Sequence, residues 1–387
     1  MPGLKTGATA ATADIDRSPQ ALQASWIQRT HFQFVFDRNL RYLRNSRRGP
    51  SNSPPTEMTF MTHQNEKRFR ELAGRVPPGT RLRLATTADP RSAELSEFCR
   101  RLSVWMPQVS VLREEGADLP YPLLLLPNGM RYMGVPAGTE VEPFIEALAP
   151  TLPRLSGELA ERLKSMGIPA ALDLYVIPDC LHCPTAVRRL MPLAEAGGLV
   201  RLTVIDGGLF PELAQGHGIR AAPTLLLDGQ FRWTGSFDLE EVVALMMTRD
   251  PVSLGPASIE LMLKEGAARR LAQLMAERNA LFPAIVELLC REQWPVRLGA
   301  MVTMEELFAL HPELAQQVID PLWDRFEAVS DPIKGDILYV FGEMRQPTLI
   351  PRLTSLLQSE ISAGVRDAAA EALAKLMTSD ELIKAET

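Results

Sequence analysis

Two cysteines, Cys180 and Cys183, stand two residues apart in the sequence PDCLHCP of residues 178–184. Cysteines at this spacing can close a disulfide when they lie at the start of a helix. The free N–H groups and the positive dipole end of a helix start favour the first sulfur as a thiolate. The spacing therefore predicts a reversible dithiol–disulfide pair.

Other uses of a cysteine pair are possible. Zinc needs four ligands, and the chain has no second cysteine pair. His182 and His217 could be recruited, but a ligand placed between the two cysteines is geometrically awkward. Covalent haem attachment needs a histidine directly after the second cysteine, where this chain has Pro184. A purely structural pair of core cysteines stays open, although it fits poorly between a strand and a helix.

The residues around the pair predict the elements that hold it. An apolar run, 171–177, comes directly before the turn, and its Leu, Tyr, Val and Ile residues favour a strand. After the turn, apolar residues recur at helical spacing; they are Ala186, Val187, Leu190 and Leu193. The sequence therefore predicts strand, active-site turn and helix, with the cysteines at the junction.

The pattern of strands and helices occurs twice along the chain. Matched residues lie about a hundred positions apart: Pro122 with Pro223, Gly129 with Gly229, and Gly134 with Gly235. We therefore expect two similar α/β domains, 58–150 and 151–250, each a small mixed sheet flanked by helices. The first has Ala88-Asp89-Pro90-Arg91 in place of the cysteine turn, which indicates a role in packing or partner binding.

Residues 251–387 show only helical patterns. Three helices share a similar start, at Pro295, Pro332 and Gly364, about thirty to forty residues apart, as expected for stacked helix pairs. The last of these segments, 365–373, resembles the second helix of a HEAT repeat. This part is expected to be an all-α domain of HEAT-like repeats.

Charge is distributed unevenly along the 387 residues. Residues 1–60 hold 8 Lys/Arg and 4 Asp/Glu, a net charge of +4. Because the whole chain has a formal net charge of −6, the remaining residues carry a net charge of −10. An acidic body argues against nucleic acid as a partner. We expect residues 1–57 to be a disordered extension, or to reflect a start assigned before Met58 or Met61. A basic arm for a membrane surface or nucleic acid is the alternative.

The remaining bulk features bear on location. No run of residues approaches the eighteen or so apolar positions of a membrane span, and the first residues lack the apolar core of a secretory signal. Four cysteines in a chain of this length do not make a disulfide framework. A cytoplasmic location and no membrane partner are therefore expected. Cys99 and Cys290, which lie among helix-spaced apolar residues, are expected to be core residues.

Three segments of the second domain together resemble a thioredoxin or glutaredoxin fold: residues 178–184, Val204-Ile205-Asp206, and GIRAAPT at 218–224. In the first domain, GMRYMGVPAG at 129–138 resembles the first half of the tandem-thioredoxin protein disulfide oxidoreductases. It also resembles the N-terminal domain of the flavoprotein component of alkyl hydroperoxide reductase. The likeness covers about residues 61–250.

The resemblance implies roles for individual residues. Cys180 would be the attacking thiol, expected to be exposed, and Cys183 the resolving thiol. Pro223 would be a cis-proline facing the disulfide, with the Ala222 backbone available to a substrate strand.

Neighbouring residues are expected to tune the pair. A protonated His182 would stabilise the thiolate and make the pair more oxidising. Asp179 would oppose this unless it caps the helix. Leu181 departs from the Pro or Gly that the family often has, so the family's redox potential does not carry over.

These features predict a thiol–disulfide oxidoreductase that acts on protein disulfides and docks a dedicated protein partner through residues 251–387. No G-x-G-x-x-G follows a strand, so we expect no flavin or nicotinamide module and no other cofactor or metal. Electrons must then come from another protein. The alternative is a redox-sensing or non-catalytic scaffold protein that uses the same folds for binding.

Overall fold

The computed structural model describes residues 62–115, 119–149, 155–195 and 198–386. The predictions for residues 1–57 lie outside these residues. Within the described part, every helix is too short or too polar to cross a membrane.

The α/β part is built on one eight-stranded sheet with the order β2-β1-β3-β4-β6-β5-β7-β8. The first four strands are β1 (Thr80–Ala85), β2 (Val109–Glu114), β3 (Leu123–Leu125) and β4 (Arg131–Met133). The second four are β5 (Ala170–Val176), β6 (Val200–Asp206), β7 (Thr224–Leu227) and β8 (Phe231–Thr234).

The two halves of the sheet repeat one topology. In the first unit β1 pairs with β2 in parallel and with β3 antiparallel, and β3 and β4 form a hairpin. In the second unit β5, β6, β7 and β8 take the same places. The predicted recurrence is thus confirmed. A parallel pairing of β4 with β6 joins the units into one sheet.

Helices cover the sheet and enclose one continuous buried core. They are α1 (His63–Leu72), α2 (Arg91–Trp105), α3 (Val141–Ala147), α4 (Gly157–Lys164), α5 (Cys183–Glu195), α6 (Pro211–Gly216) and α7 (Leu239–Thr248). Because the core runs through both units, the expected division at residue 150 stays a prediction.

From Pro251 onward the described residues form only helices and turns, around a second buried core. The α-helices are α8 (Pro256–Lys264), α9 (Ala268–Arg278), α10 (Pro283–Leu289), α11 (Trp294–Leu310), α12 (Pro312–Ala315), α13 (Ile319–Arg325), α14 (Asp331–Glu343), α15 (Ile350–Leu357) and α16 (Ala363–Glu386). The all-α class is confirmed, and the HEAT-like repeat stays a prediction.

Residues 313–328 do not form one continuous helix. Short 3-10 turns lie at Gln316–Val318 and Phe326–Ala328, on either side of α13. Pro321 has no N–H to donate to the carbonyl four residues earlier, at Gln317. The α-helical hydrogen bond to the Gln317 carbonyl is therefore missing, and Gln317 lies in the first of these turns.

A buried charged joint connects the two parts. Arg249 Nε donates to Asp228 Oδ2 at 2.6 Å, and both side chains are almost fully buried. The Ser258 hydroxyl of α8 also donates to Asp228, and Ala171 N donates to it at 3.1 Å. Gly255 lies so close to the Asp228 carbonyl that a Cβ would overlap it. Asp228 therefore links the β7–β8 turn, strand β5 and helix α8.

Candidate active site

The cysteine turn follows the central strand of the second unit. Strand β5 lies between β6 and β7, and six of its seven residues are buried. The chain then turns at Asp179, which adopts a left-handed backbone conformation with φ 61°. Helix α5 begins at Cys183. The predicted order of strand, turn and helix is confirmed.

Cys180 and Cys183 form a disulfide, with their Cα atoms 5.5 Å apart. The backbone N–H of Cys183 donates to the Cys180 sulfur at an N···S distance of 3.2 Å. Cys183 is fully buried, whereas Cys180 is 7% exposed. The accessible sulfur is thus the one that receives the N–H group from the helix start. This geometry can stabilise a Cys180 thiolate when the pair is reduced.

Cys180 is less open than the sequence suggested. The side chain beside it, Leu181, is 82% exposed, whereas Cys180 as a whole is only 7% exposed. A disulfide that reacts with Cys180 must therefore approach closely and contact the residues around it, such as Leu181.

The two predicted substrate-binding residues lie beside the pair. The Ala222–Pro223 peptide bond is cis, and the Ala222 carbonyl oxygen lies 3.7 Å from the Cys180 sulfur. Strand β7 starts directly afterwards, at Thr224. The structure thus brings Ala222 and Pro223 to the cysteines, and their contact with a substrate stays a prediction.

His182 projects from the same turn into solvent. Within the described residues, its imidazole has no hydrogen-bond partner or ion-pair partner. Its nearness to the pair follows from its sequence position, and its effect on the thiolate stays a prediction.

The first unit contributes a loop to the site, which the sequence reasoning did not find. The Thr139 hydroxyl donates to the Cys180 carbonyl at 3.0 Å. Gly138, with φ +56°, lies so close to Asp179 that a Cβ would overlap its carboxylate. Gly138 N also donates to Asn65 Oδ1 at 3.0 Å. The unit without cysteines therefore holds the reactive turn in place.

Two buried carboxyl groups lie near this loop. Burial raises the pKa of Glu140 to about 7, and the nearby Asp206 adds to the rise, although a hydrogen bond from Tyr132 opposes it. The Tyr132 hydroxyl donates to Glu140 Oε2 at 2.9 Å, while Oε1 has no partner among the described residues. An acid that titrates near neutral pH, one residue from Thr139, can accept or supply a proton.

Asp206, at the end of β6, behaves similarly. Burial raises its pKa to about 6, even though the N–H groups of Gly208 and Leu209 donate to Oδ1 at 2.8 and 3.2 Å. Gly134 at the end of β4 packs against the Asp206 side chain so closely that a Cβ would lie 2.9 Å from it. The segment Val204-Ile205-Asp206, which resembles part of a thioredoxin fold, contains this residue, but the burial of Asp206 follows only from the fold.

The turn that replaces the cysteines in the first unit is a packed joint. Arg91 bonds to Asp89 in a bidentate pair, and its Nη1 donates to the Leu209 carbonyl at 3.0 Å. Its guanidinium also lies over the Phe210 ring, 4.1 Å from the centroid, and pairs with Glu212 at 2.6 Å. Of the two expected roles, the structure shows packing.

The other two cysteines are placed differently. Cys99 lies in the first core, and burial raises its pKa to about 12. Cys290 follows α10 and is half-buried, and burial raises its pKa as well. Core placement is thus seen for Cys99 and only partly for Cys290.

The strand order and the cysteine turn define a thioredoxin-like α/β region with a redox-type cysteine pair. Residues 172–247 match the family model described as "Thioredoxin domain". Outside the matched segment, the first unit repeats the same strand order.

Particular relatives include the F subunit of alkyl hydroperoxide reductase. The chain is 25% identical to that protein of Pseudomonas aeruginosa over 177 residues, which are 44% of this chain and 31% of the relative. It is 26% identical to an NADH dehydrogenase of Bacillus subtilis over 122 residues, 31% of this chain and 24% of the relative. The chain therefore spans about a third or less of the length of these relatives.

Two solved structures also align with this chain. The alkylhydroperoxide reductase AhpF of Enterococcus faecalis aligns with a TM-score of 0.41 and 20% identity, over 49% of this chain and 100% of that one. A protein disulfide oxidoreductase of Aeropyrum pernix aligns with a TM-score of 0.40 and 14% identity, over 48% and 92%.

Proposed function

We propose that this protein is a thiol–disulfide oxidoreductase that uses the Cys180–Cys183 pair. The observation that carries the proposal is the disulfide at the start of α5, where the Cys183 N–H donates to the more accessible sulfur. This arrangement supports both states of the pair, because the same N–H can stabilise the Cys180 thiolate after reduction.

In the proposed reaction, the reduced Cys180 thiolate attacks one sulfur of a protein disulfide. The disulfide bond of the client breaks, its leaving sulfur takes a proton, and a mixed disulfide forms with Cys180. Cys183 then gives up its proton and attacks the Cys180 sulfur, which releases the second client thiol. The client gains two electrons and two protons, and the chain returns to the disulfide form. A dithiol of an electron-donor protein reduces the pair again by the same exchange.

The neighbouring residues take supporting roles in this scheme. The Ala222–Pro223 segment, whose carbonyl lies 3.7 Å from the Cys180 sulfur, would align an extended client strand. His182 would stabilise the thiolate by its charge when protonated.

The second candidate is a redox-sensing or non-catalytic scaffold. The low exposure of Cys180 favours it, since a sensor pair needs no frequent access by large clients. In either case we propose residues 251–387 as the docking part for a dedicated protein partner, and a cytoplasmic setting. The division into 58–150, 151–250 and 251–387 is part of this proposal.

Reduction of insulin disulfides by the full chain, with dithiothreitol as electron donor, tests the proposal. We expect clear acceleration, which Cys180→Ser and Cys183→Ser each reduce by about a hundredfold or more. Cys290→Ser, a control in the helical part, should keep the full rate. A pair that cycles between its two states without accelerating exchange would favour the sensor.

A further inference from the structure

Exposed apolar side chains are concentrated in the helical part. Of the nine large apolar side chains that are exposed in the described residues, six lie beyond residue 290. Three of them, Trp294, Leu298 and Val302, are 49, 42 and 37% exposed and lie on α11. Their spacing of four residues puts them in one line along the helix, about 12 Å long. We call this line the α11 ridge.

The α11 ridge is not a byproduct of a loosely packed helix. The opposite face of α11 buries Val296, Ala300, Met304 and Leu307 in the second core. Tyr339 of α14 continues the exposed surface, because its hydroxyl donates to Glu305 Oε1 of α11 at 2.9 Å. A continuous apolar patch differs from isolated exposed residues, which are common on any surface.

The cations beside the ridge are already paired. Arg297 is buried and pairs with Asp336 at 2.5 Å, and Arg269 lies 3.8 Å from Glu306. Lys375 lies 2.7 Å from Glu343 and 3.4 Å from Glu371. Each of these positive charges is thus balanced by a carboxylate of the same surface.

Three carboxylates along the ridge have no cationic partner among the described residues. The Glu292 carboxylate, two residues before Trp294, accepts a hydroxyl hydrogen bond from Ser330 at 3.3 Å, and the Glu292 backbone carbonyl accepts from Arg297 Nη1 at 3.1 Å. Asp331 is the next residue after Ser330, and Glu305 follows Val302 on the same helix face. The ridge is therefore apolar along its length and negatively charged along its border.

We infer that the α11 ridge binds an amphipathic helix of a partner protein, with apolar residues at positions i, i+4 and i+8 and lysine or arginine beside them. The apolar residues would cover Trp294, Leu298 and Val302, and the basic residues would pair with Glu292, Glu305 and Asp331. This inference deepens the proposed function, since it names the surface and chemistry of docking, but peptide binding needs no redox activity.

Two synthetic peptides of about 18 residues, long enough to be helical, test the inference. They share one apolar stripe and differ only in lysine or glutamate on the polar face. We expect the intact chain to bind the lysine peptide at least about tenfold more tightly, with affinity falling between about 50 and 500 mM salt. Equal affinity for both peptides would overturn the inference.

Matched variants locate the binding. Leu298→Ser combined with Val302→Ser should weaken lysine-peptide binding about tenfold or more. Val104→Ser combined with Leu112→Ser removes two similarly exposed side chains outside the helical part and should change nothing. Glu305→Gln with Asp331→Asn should reduce the preference for lysine. Unchanged binding by the ridge variant would overturn the inference.

Sedimentation of the chain without peptide tests whether a second copy of the chain occupies the α11 ridge instead. A dimer that the Leu298→Ser/Val302→Ser variant abolishes would show a second copy on the ridge and would overturn the inference. If the lysine peptide binds as expected but insulin is not reduced, the inference stands and the oxidoreductase proposal fails.

Discussion

The Thr139 hydroxyl of the first unit donates a hydrogen bond to the carbonyl of Cys180 in the second, at 3.0 Å. This bond crosses from the unit without cysteines to the reactive turn. The neighbouring Gly138 packs against Asp179, so two consecutive residues of one loop hold two consecutive residues of the turn. The first unit is thus part of the candidate active site as well as of the sheet.

Replacing Thr139 by valine keeps its shape and removes the donor. We expect the free energy of unfolding of the oxidised protein to fall by about 1 kcal/mol, because the part-buried carbonyl loses its partner. The rate of insulin reduction should fall as well. Urea unfolding and the insulin assay measure both effects. Thr248→Val removes an exposed bond to the Ala244 carbonyl within α7 and serves as the control. Equal stability and rate in the Thr139 variant would contradict a holding role for the loop.

His182→Leu removes a charge from the turn itself. A protonated histidine stabilises the thiolate and so the reduced state, and its removal should make the disulfide harder to reduce. Because His182 is exposed, the charge is screened by solvent, and we expect the potential to become more negative by only about 20 mV. Glutathione titration of the parent and the variant measures this shift. A shift to more positive potential would contradict this account.

Glu140→Gln should change the pH dependence of stability. Burial raises the pKa of Glu140 from 4.5 to about 7, so the folded state binds more protons than the unfolded state between these values. Stability contributed by the protonated form is complete below about pH 4.5 and is lost as the pH rises through 7. The loss is about 3 kcal/mol at most.

Urea unfolding at pH 5 and pH 8 measures this effect. The Glu140→Gln variant should lose less stability between the two pH values than the parent, and Asp206, with a pKa of about 6, should account for part of the remainder. Glu158→Gln, at an exposed position in α4, is the control and should retain the parent slope. If Glu140→Gln loses as much stability between pH 5 and pH 8 as the parent, titration of Glu140 is not the cause of that loss.

The sequence predicted the parts of the site that depend on local pattern. Cys180 and Cys183 come between an apolar β run and a helical one, and the repeated spacing of Pro122 and Pro223 reveals two units. It could not predict that β4 pairs with β6, because that pairing joins strands about seventy residues apart and leaves no local pattern. Nor could it show that Glu140 and Asp206 are buried, since their apolar surroundings come from distant elements. The break near Pro321 had a visible signal in the proline itself.

Asp228 and Arg249 were equally hidden, because charged residues near a domain end are usually exposed. Arg249→Met should reduce the free energy of unfolding by about 3–5 kcal/mol, since it leaves the Asp228 carboxylate buried without a cation. Thermal and urea unfolding measure the loss. Arg278→Met, which removes an exposed pair with Asp250, should cost less than about 1 kcal/mol. If the Arg249 variant is as stable as the Arg278 variant, the joint contributes little to the fold.

Cys183→Ser should trap clients, because a mixed disulfide at Cys180 cannot be released without the second thiol. If residues 251–387 dock a dedicated partner, they keep the pair at high effective concentration near that client. Deleting these residues should therefore sharply reduce trapping of that client, and Leu298→Ser/Val302→Ser in the intact chain should do so without a deletion. Non-reducing gels measure trapping.

Reduction of a small synthetic disulfide is the control for the deletion and is measured with Cys183 intact. It should be nearly unchanged, because a cut after residue 250 retains the Arg249–Asp228 pair and removes from that joint only the Ser258 hydroxyl and the packing of Gly255. Equal trapping with and without residues 251–387 would show that these residues do not select clients. Loss of the small-disulfide activity would show that the α/β part needs residues 251–387 in order to fold.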